Sequence, residues 1–388
     1  MSQKNSLMNG VKIARVSTVA FFIDTQLNAQ IKAILSSGAD VSVLASEPAL
    51  NRPIEGCHYF SVDIPRKISL FKDLIALLKL WRLFTKQKFD IVHSTTPKAG
   101  LLCAVAGKLA GVPIRIHSYT GQPWVTLTGI KRQVTKLADW LIGCLTTACY
   151  ADSESQKAFL VSEKIVSADK LSVIGKGSLA GVDVKRFNPE RFGEAEHNSI
   201  RQALEIPKDA VVLLFVGRIV KDKGVIELVE AFKYKASNVY LLMVGPQELS
   251  HKELGIELDS DLNQKIIFTG YTDVPEQYMA ISNVLCIPSY REGFGTVVIE
   301  AAAMGIPTIG TNIYGLSDAI VDGETGILVE PKNVTELAQA IDKVSNDGKL
   351  RSTLGVNAKC RVLQYFSSDV VNRLLIDEYV TLLNCLRK

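Results

Sequence analysis

Twice along this chain of 388 residues, short apolar runs alternate with longer helical stretches. In the first half the sequence predicts strands at Val11–Val16, Val41–Leu44, Ile91–His93, Ile114–His117 and Leu145–Ala148. Helical patterns lie between them near Gln26–Ser36, Phe71–Thr85, Lys98–Ala110 and Lys131–Leu141. The second half repeats the rhythm with strands at Val211–Val216, Val239–Val244, Ile266–Phe268, Val284–Ile287, Thr308–Ile309 and Gly326–Val329. Strands separated by helix-length connections pair in parallel, through right-handed crossovers. The expected fold class is therefore α/β, with two Rossmann-like domains. Hydrophobic content of 47% fills two cores, and a charged fraction of 22% argues against disorder. The boundary is expected near Asp183–His197, where Phe187-Asn188-Pro189 runs into polar residues, giving a first domain of 1–187 and a second of 188–367.

The chemistry concentrates in the second half. Val284-Leu285-Cys286-Ile287-Pro288 reads as a buried strand ended by proline. It leads into Tyr290-Arg291-Glu292-Gly293-Phe294-Gly295-Thr296-Val297-Val298-Ile299-Glu300, a glycine turn opening a helix with a carboxylate on either side. The first N–H groups of a helix have no internal partner and carry the positive end of its dipole, so that point favours a phosphate. Glu292 falls on the loop and Glu300 about two turns along. An earlier segment, Phe215-Val216-Gly217-Arg218-Ile219-Val220-Lys221-Asp222-Lys223-Gly224, is again strand, loop and helix start. Arg218 offers a fixed fork of donors and Lys223 a mobile point charge. Together they suit a diphosphate leaving group, with no metal required.

These motifs resemble the family 4 glycosyltransferases of the GT-B type. The match is Gly217-Arg218…Lys223-Gly224 followed by Glu292…Glu300 in the E-x7-E pattern, continued by Gly305-Ile306-Pro307 and Gly323-Glu324-Thr325-Gly326. The resemblance implies a GT-B architecture, two Rossmann-like domains facing a central cleft, with the last helix returning so that 368–388 join 1–187. It implies retention of anomeric configuration and no metal or other cofactor. It places Glu300 on the nucleotide ribose and Glu292 beside the donor sugar, and it gives Phe294, Gly295 and Thr296 as backbone donors to sugar or phosphate. Family members carry a histidine at the end of the strand read here as Ile114–His117. By that resemblance His117 joins Glu292, Arg218 and Lys223 as a catalytic candidate.

His117 opens onto Ser118-Tyr119-Thr120-Gly121-Gln122-Pro123-Trp124, a polar and aromatic loop suited to sugars. Thr120 and Gln122 are acceptor-side candidates. His93, also at a strand end, is read as acceptor-side or structural. The first loop, Ser17-Thr18-Val19-Ala20-Phe21-Phe22-Ile23, lacks the Gly-Gly pair common in the family. An apolar loop there suits a lipid-linked acceptor, and Phe21 and Phe22 serve equally as core. Asp259-Ser260-Asp261 matches the D-x-D of metal-dependent transferases, but in polar surroundings it reads as a solvated face. Gly175-Lys176-Gly177-Ser178 lacks the P-loop spacing.

Seven scattered cysteines without a C-x-x-C pair read as reduced thiols in a cytoplasmic protein. The polar Met1–Gly10 is no signal peptide, and no run reaches the ~20 apolar residues of a membrane span. The net charge of +4 divides into +10 over residues 1–190 and −6 over 191–388. No nucleic-acid motif accompanies the basic half, so nucleic acid is not an expected partner. Residues 66–88 hold seven bases and one acid around the apolar Leu74–Leu78 and Leu80–Phe84. That pattern fits a peripheral helix on an anionic membrane as well as an ordinary core helix. The reading that follows is a hexosyl- or N-acetylhexosaminyltransferase. It moves a sugar from a nucleotide-diphosphate donor, expected to be UDP-linked, to a lipid-linked saccharide in bacterial polysaccharide assembly, peripheral on the inner face of the cytoplasmic membrane. A nucleotide-sugar 2-epimerase, or a non-catalytic nucleotide-binding protein on the same fold, is the alternative.

Overall fold

The computed structural model describes residues 8–65, 69–233, 238–256 and 264–387. Two compact units form, one ending at Gly181 and regaining the chain from Ser368, the other comprising Val182–Ser367. The change of unit falls six residues before the expected 187. Val182 donates its N–H to Phe366 O at 2.8 Å, and both Val182 and Phe187 are buried in the second core.

The first unit is built on a seven-stranded sheet of order β3-β2-β1-β4-β5-β6-β7, parallel throughout. Its strands are β1 (Lys12–Val16), β2 (Asp40–Ala45), β3 (His58–Ser61), β4 (Ile91–Ser94), β5 (Ile114–Tyr119), β6 (Ala148–Ala151) and β7 (Leu171–Val173). Helices α1 (Asn28–Ser36), α2 (Leu70–Gln87), α3 (Pro97–Leu109), α4 (Gly129–Leu145) and α5 (Glu154–Ser162) make the crossovers. The sheet sits between two apolar layers. One contains Ile13, Val41 and Ile31; the other contains Val16, Ala76, Leu80 and Ala106. The expected strand Leu145–Ala148 is displaced to β6. The apolar run around it divides at Thr146, whose Oγ1 donates to Ile142 O at 2.7 Å and ends α4. The edge strand β3 escaped sequence reading because its four residues are half-buried or exposed and carry no apolar alternation.

The second unit has a six-stranded parallel sheet, β10-β9-β8-β11-β12-β13. Its strands are β8 (Val211–Val216), β9 (Val239–Val244), β10 (Ile266–Gly270), β11 (Val284–Ile287), β12 (Thr308–Thr311) and β13 (Gly326–Val329). Around it lie α6 (Glu194–Ala203), α7 (Val225–Phe232), α8 (Pro275–Ala280), α9 (Thr296–Ala303), α10 (Leu316–Ala319), α11 (Val334–Asn346) and α12 (Gly348–Tyr365). Strand order reverses between β8 and β11, so the loops after these two strands diverge from adjacent strand ends, where open α/β sheets take ligands. The final helix, α13 (Ser368–Arg387), packs on α1 in the first unit and buries Leu375, Tyr379 and Leu383 there.

Candidate active site

The loops after β8 and β11 in the second unit are fastened to each other. Gly224 begins α7 at φ +67°, a conformation that disfavours a side chain. A Cβ at this position would lie 1.9 Å from Pro288 O, so only glycine lets the two loops meet. Tyr290 N–H donates to Asp222 O at 2.9 Å, and Arg291 lies 3.6 Å from Asp222. The Tyr290 hydroxyl donates to Glu227 on α7, and Lys332 stands 4.9 Å over the Tyr290 ring.

That junction brings two of the predicted residues together. Lys223 Nζ donates to Glu292 Oε1 at 2.5 Å, and Ser289 Oγ donates to the same oxygen at 2.8 Å. Both members of the ion pair are only partly exposed. Arg218 lies on the same loop as Lys223, more than half exposed, with Glu248 Oε1 at 3.1 Å. Phe294 is buried and packs at 5.1 Å against Phe366, so its side chain belongs to the core and only its backbone faces outward chemistry. No side chain caps the start of α9 at Thr296. Its leading N–H groups are the kind that donate to an anion.

Glu300, on α9, does not touch Glu292. It is half-buried, and burial pushes its carboxyl up to about 7, with Arg186 pulling it down and Glu276 raising it. Glu276 is buried on α8 and grips Arg186 through Nε at 3.0 Å and Nη2 at 2.8 Å. Sequence reading missed Arg186, Glu276, Ser289 and Glu248. Ser289 was within reach, three residues from Glu292. Arg186 and Glu276 stand 90 positions apart and carry no local signal. The arrangement offers two cations, each paired with a carboxylate, and a helix start with no side-chain cap for a diphosphate. It also offers two carboxylates that differ in charge affinity, one ion-paired and one near its titration point, for hydroxyl groups.

The first unit places its candidates differently. β5 continues to Tyr119, so His117 lies inside the strand rather than at its end. The imidazole is buried, bonded to Ser94 Oγ at 2.9 Å and edge-on to Tyr119 at 4.7 Å. It lies so close beneath α3 that a Cβ on Gly100 would meet its Cε1 at 2.5 Å. Burial pushes its pKa down to about 3, which keeps it neutral. The strand-end placement expected for His117 is corrected: two further strand residues, Ser118 and Tyr119, follow it.

His93 is likewise buried, with Nδ1 bonded to the Tyr379 hydroxyl at 2.6 Å and Nε2 to Ser118 Oγ at 2.8 Å. The buried Arg15 donates to the same phenol at 3.0 Å and to Gln30 Oε1 at 2.6 Å. Burial, with the Arg15 charge beside it, holds the His93 pKa well below its ordinary value. Its role here is to tie α13 to the sheet. Thr120 is half-buried and donates to Thr95 O at 3.2 Å. Gln122 is wholly buried and accepts from Gln156 Nε2 at 3.3 Å. Trp124, at the end of the loop read as suited to sugars, is internal: it donates to Asp139 Oδ2 at 2.7 Å and stacks on Phe159 at 5.4 Å. In the first loop, the Ala20 N–H donates to Glu47 Oε2 at 2.7 Å, and Phe21 is half exposed. Asp259-Ser260-Asp261 lies outside the described residues, among which no cluster of metal-ligating side chains occurs.

Two family models match the chain, Glycosyl transferase 4-like domain over residues 23–177 and Glycosyl transferases group 1 over residues 196–361. The capsular polysaccharide biosynthesis glycosyltransferase CapM of Staphylococcus aureus is 34% identical over 97% of this chain and 98% of its own. The UDP-Gal:alpha-D-GlcNAc-diphosphoundecaprenol alpha-1,3-galactosyltransferase of Escherichia coli is 28% identical over 83% of this chain and 84% of its own. Among solved structures, sucrose-phosphate synthase of Thermosynechococcus elongatus superposes with a TM-score of 0.80 at 22% identity, covering 97% of this chain and 100% of that one. HepE of Anabaena, solved with UDP and glucose, gives 0.78 at 18% identity over 96% and 100%. With two parallel-sheet Rossmann-like units and a near full-length relative at this identity, the chain belongs to the family 4-like glycosyltransferases of the GT-B fold.

Proposed function

We propose that this glycosyltransferase moves a hexosyl or N-acetylhexosaminyl group from a UDP-sugar to a lipid-linked saccharide, with retention and without a metal, in the assembly of a bacterial capsular polysaccharide. The observation that carries the reading is the junction of the β8 and β11 loops, where Lys223, Glu292 and the uncapped start of α9 converge. The CapM relative supports the polysaccharide context. The E. coli relative, named for a UDP-galactose donor and a diphosphoundecaprenol-linked acceptor, supports both substrate classes.

In this mechanism the bond between sugar C1 and the β-phosphate oxygen breaks while an acceptor hydroxyl oxygen bonds C1 from the same face. The hydroxyl proton passes to the departing phosphate oxygen. Lys223, Arg218 and the α9 N–H groups take up the charge that grows on the diphosphate, the position where fixed donors accelerate a reaction most. Glu292 exchanges its Lys223 contact for hydroxyls of the donor sugar, and Glu300 accepts from the ribose diol. Retention rests on the family resemblance. Binding to the inner face of the membrane rests on the basic outer face of α2, where Lys72, Lys79, Arg82 and Lys86 are exposed. Arg66 and Lys67 of the same stretch lie outside the described residues.

The test is turnover of a panel of UDP- and GDP-sugars with a lipid extract containing polyprenyl-diphosphate saccharides, in EDTA, with the anomeric configuration of the product read by NMR. An α-linked product from an α-UDP-sugar supports the reading. A β-linked product, or activity confined to GDP-sugars, overturns it.

A further inference from the structure

Helices α2, α3 and α4 follow the parallel strands β3, β4 and β5, and α3 packs against both of its neighbours. They form one layer on one face of the first unit's sheet, with their starts at the same edge. The inner side of α2 buries Ala76, Leu80 and Phe84. Its outer side leaves Leu70 84% and Phe71 76% exposed, and Leu74, Leu78 and Trp81 continue the stripe. The same arrangement recurs on α4. Its inner side buries Asp139, Ile142 and Gly143, while Ile130 (83% exposed), Val134, Leu137 and Trp140 face water at spacings of four, three and three. Such spacing is one continuous face of a helix. Single exposed apolar residues are ordinary, but two stripes on neighbouring helices of one layer are a surface that calls for a partner.

The charges identify that partner. The three helices contain two acids, and neither is free: Asp73 is 2.7 Å from Lys98, and Asp139 is buried against Trp124. Exposed cations flank the stripes at Lys72, Lys79, Arg82 and Lys86 on α2, Lys108 on α3 and Lys131 on α4. An apolar face on which the exposed charges of the three helices are all cations, the nearby Glu163 being paired with Lys136 of α4, and with a tryptophan on each stripe, matches the headgroup and upper acyl region of an anionic bilayer. No described helix is long and apolar enough to cross a membrane, so the face lies on the bilayer.

We infer that α4 is a second, apolar arm of a two-helix platform that seats this enzyme in an anionic bilayer surface, with Ile130, Val134, Leu137 and Trp140 entering the lipid beside the α2 stripe. The inference rests on the membrane reading above and sharpens it: docking is by insertion on two helices, not by charge on one. Charge attraction collapses at high salt, where the Debye length is ~3 Å at 1 M, whereas apolar burial does not.

The experiment is co-sedimentation with vesicles of phosphatidylglycerol and phosphatidylethanolamine, and with phosphatidylcholine vesicles, at 0.1 M and 1 M NaCl. It uses the full chain and the variants Val134→Asp/Leu137→Asp and Lys79→Glu/Arg82→Glu. UDP binding by calorimetry in the same samples verifies that each variant is folded. The parent is expected to bind anionic vesicles and keep a measurable bound fraction at 1 M NaCl. The Val134/Leu137 variant should lose that salt-resistant fraction and bind about tenfold less at 0.1 M. Bromolipids should quench Trp140 fluorescence in a Trp81→Phe background. If the parent binds and the charge-reversal variant fails, while Val134→Asp/Leu137→Asp binds like the parent, the α4 arm is wrong and the α2 reading stands. If the parent binds no vesicle, both are wrong. If the Val134/Leu137 change instead converts a dimer to a monomer without altering vesicle binding, the face is a protein interface and the inference is overturned.

Discussion

Glu300 is a carboxylate held near neutrality by burial, at about 7. In the proposed role only its ionised form accepts two hydroxyl protons from a ribose, which makes that role pH-dependent. At pH 6, one unit below that value, roughly a tenth is ionised. UDP affinity of the parent should therefore fall between pH 8 and pH 6 by up to about tenfold more than that of Glu300→Gln, measured by calorimetry. Parallel pH profiles would remove Glu300 from nucleotide binding. Stability carries the opposite sign. The folded state raises this pKa above the ordinary 4.5, so ionisation costs stability as pH rises from 4.5 through 7. Glu300→Gln should thus raise Tm at pH 8 and leave it unchanged at pH 4. His117 is a contrasting residue. Its neutral ring fills the space between β5 and α3, so His117→Ala should cost about 2–4 kcal/mol of stability through the cavity and the lost Ser94 bond. Denaturant melts report that loss, while the turnover rate per folded molecule is expected to hold. A large drop in that rate with unchanged stability would place His117 in the chemistry.

At the scale of elements, the proposed donor site depends on how closely two βα loops approach. Gly224→Ala adds both a strained φ and a clash with Pro288 O, and it pushes apart the loops that carry Lys223 and Glu292. UDP binding should weaken at least tenfold by calorimetry even where the circular dichroism spectrum remains native. Unchanged binding would show that the loops tolerate separation. This junction was partly legible beforehand. Apolar runs ended by glycine and proline marked β8 and β11, and the repeated strand–loop–helix pattern placed Lys223 and Glu292 on loops after two strands of the same domain. Their direct ion pair was not legible, because 69 positions separate them and only the strand order makes them neighbours. The strand-end reading of His117 failed for a related reason. Ser118 and Tyr119 look polar and loop-like in sequence, yet both are buried, paired with Tyr150 and Ala151 of β6. The burial of Trp124 was equally hidden, since an aromatic residue in a polar loop gives no sign that its indole N–H will find the buried Asp139.

Across the whole molecule the two-domain α/β architecture followed from strand–helix alternation alone, because parallel pairing leaves few other topologies. Sugar transfer is a property of the entire chain, and it tests the central claim: Lys223 and the α9 start stabilise a departing diphosphate without a metal. The most direct measurement is the initial rate of transfer from UDP-sugar to lipid-linked acceptor in EDTA, for the parent and for Lys223→Ala. The account predicts a parent rate indifferent to EDTA and a variant slower by ~10²–10³, the usual cost of removing one transition-state donor. A parent that requires added manganese or magnesium, or a Lys223→Ala enzyme as fast as the parent, would contradict it.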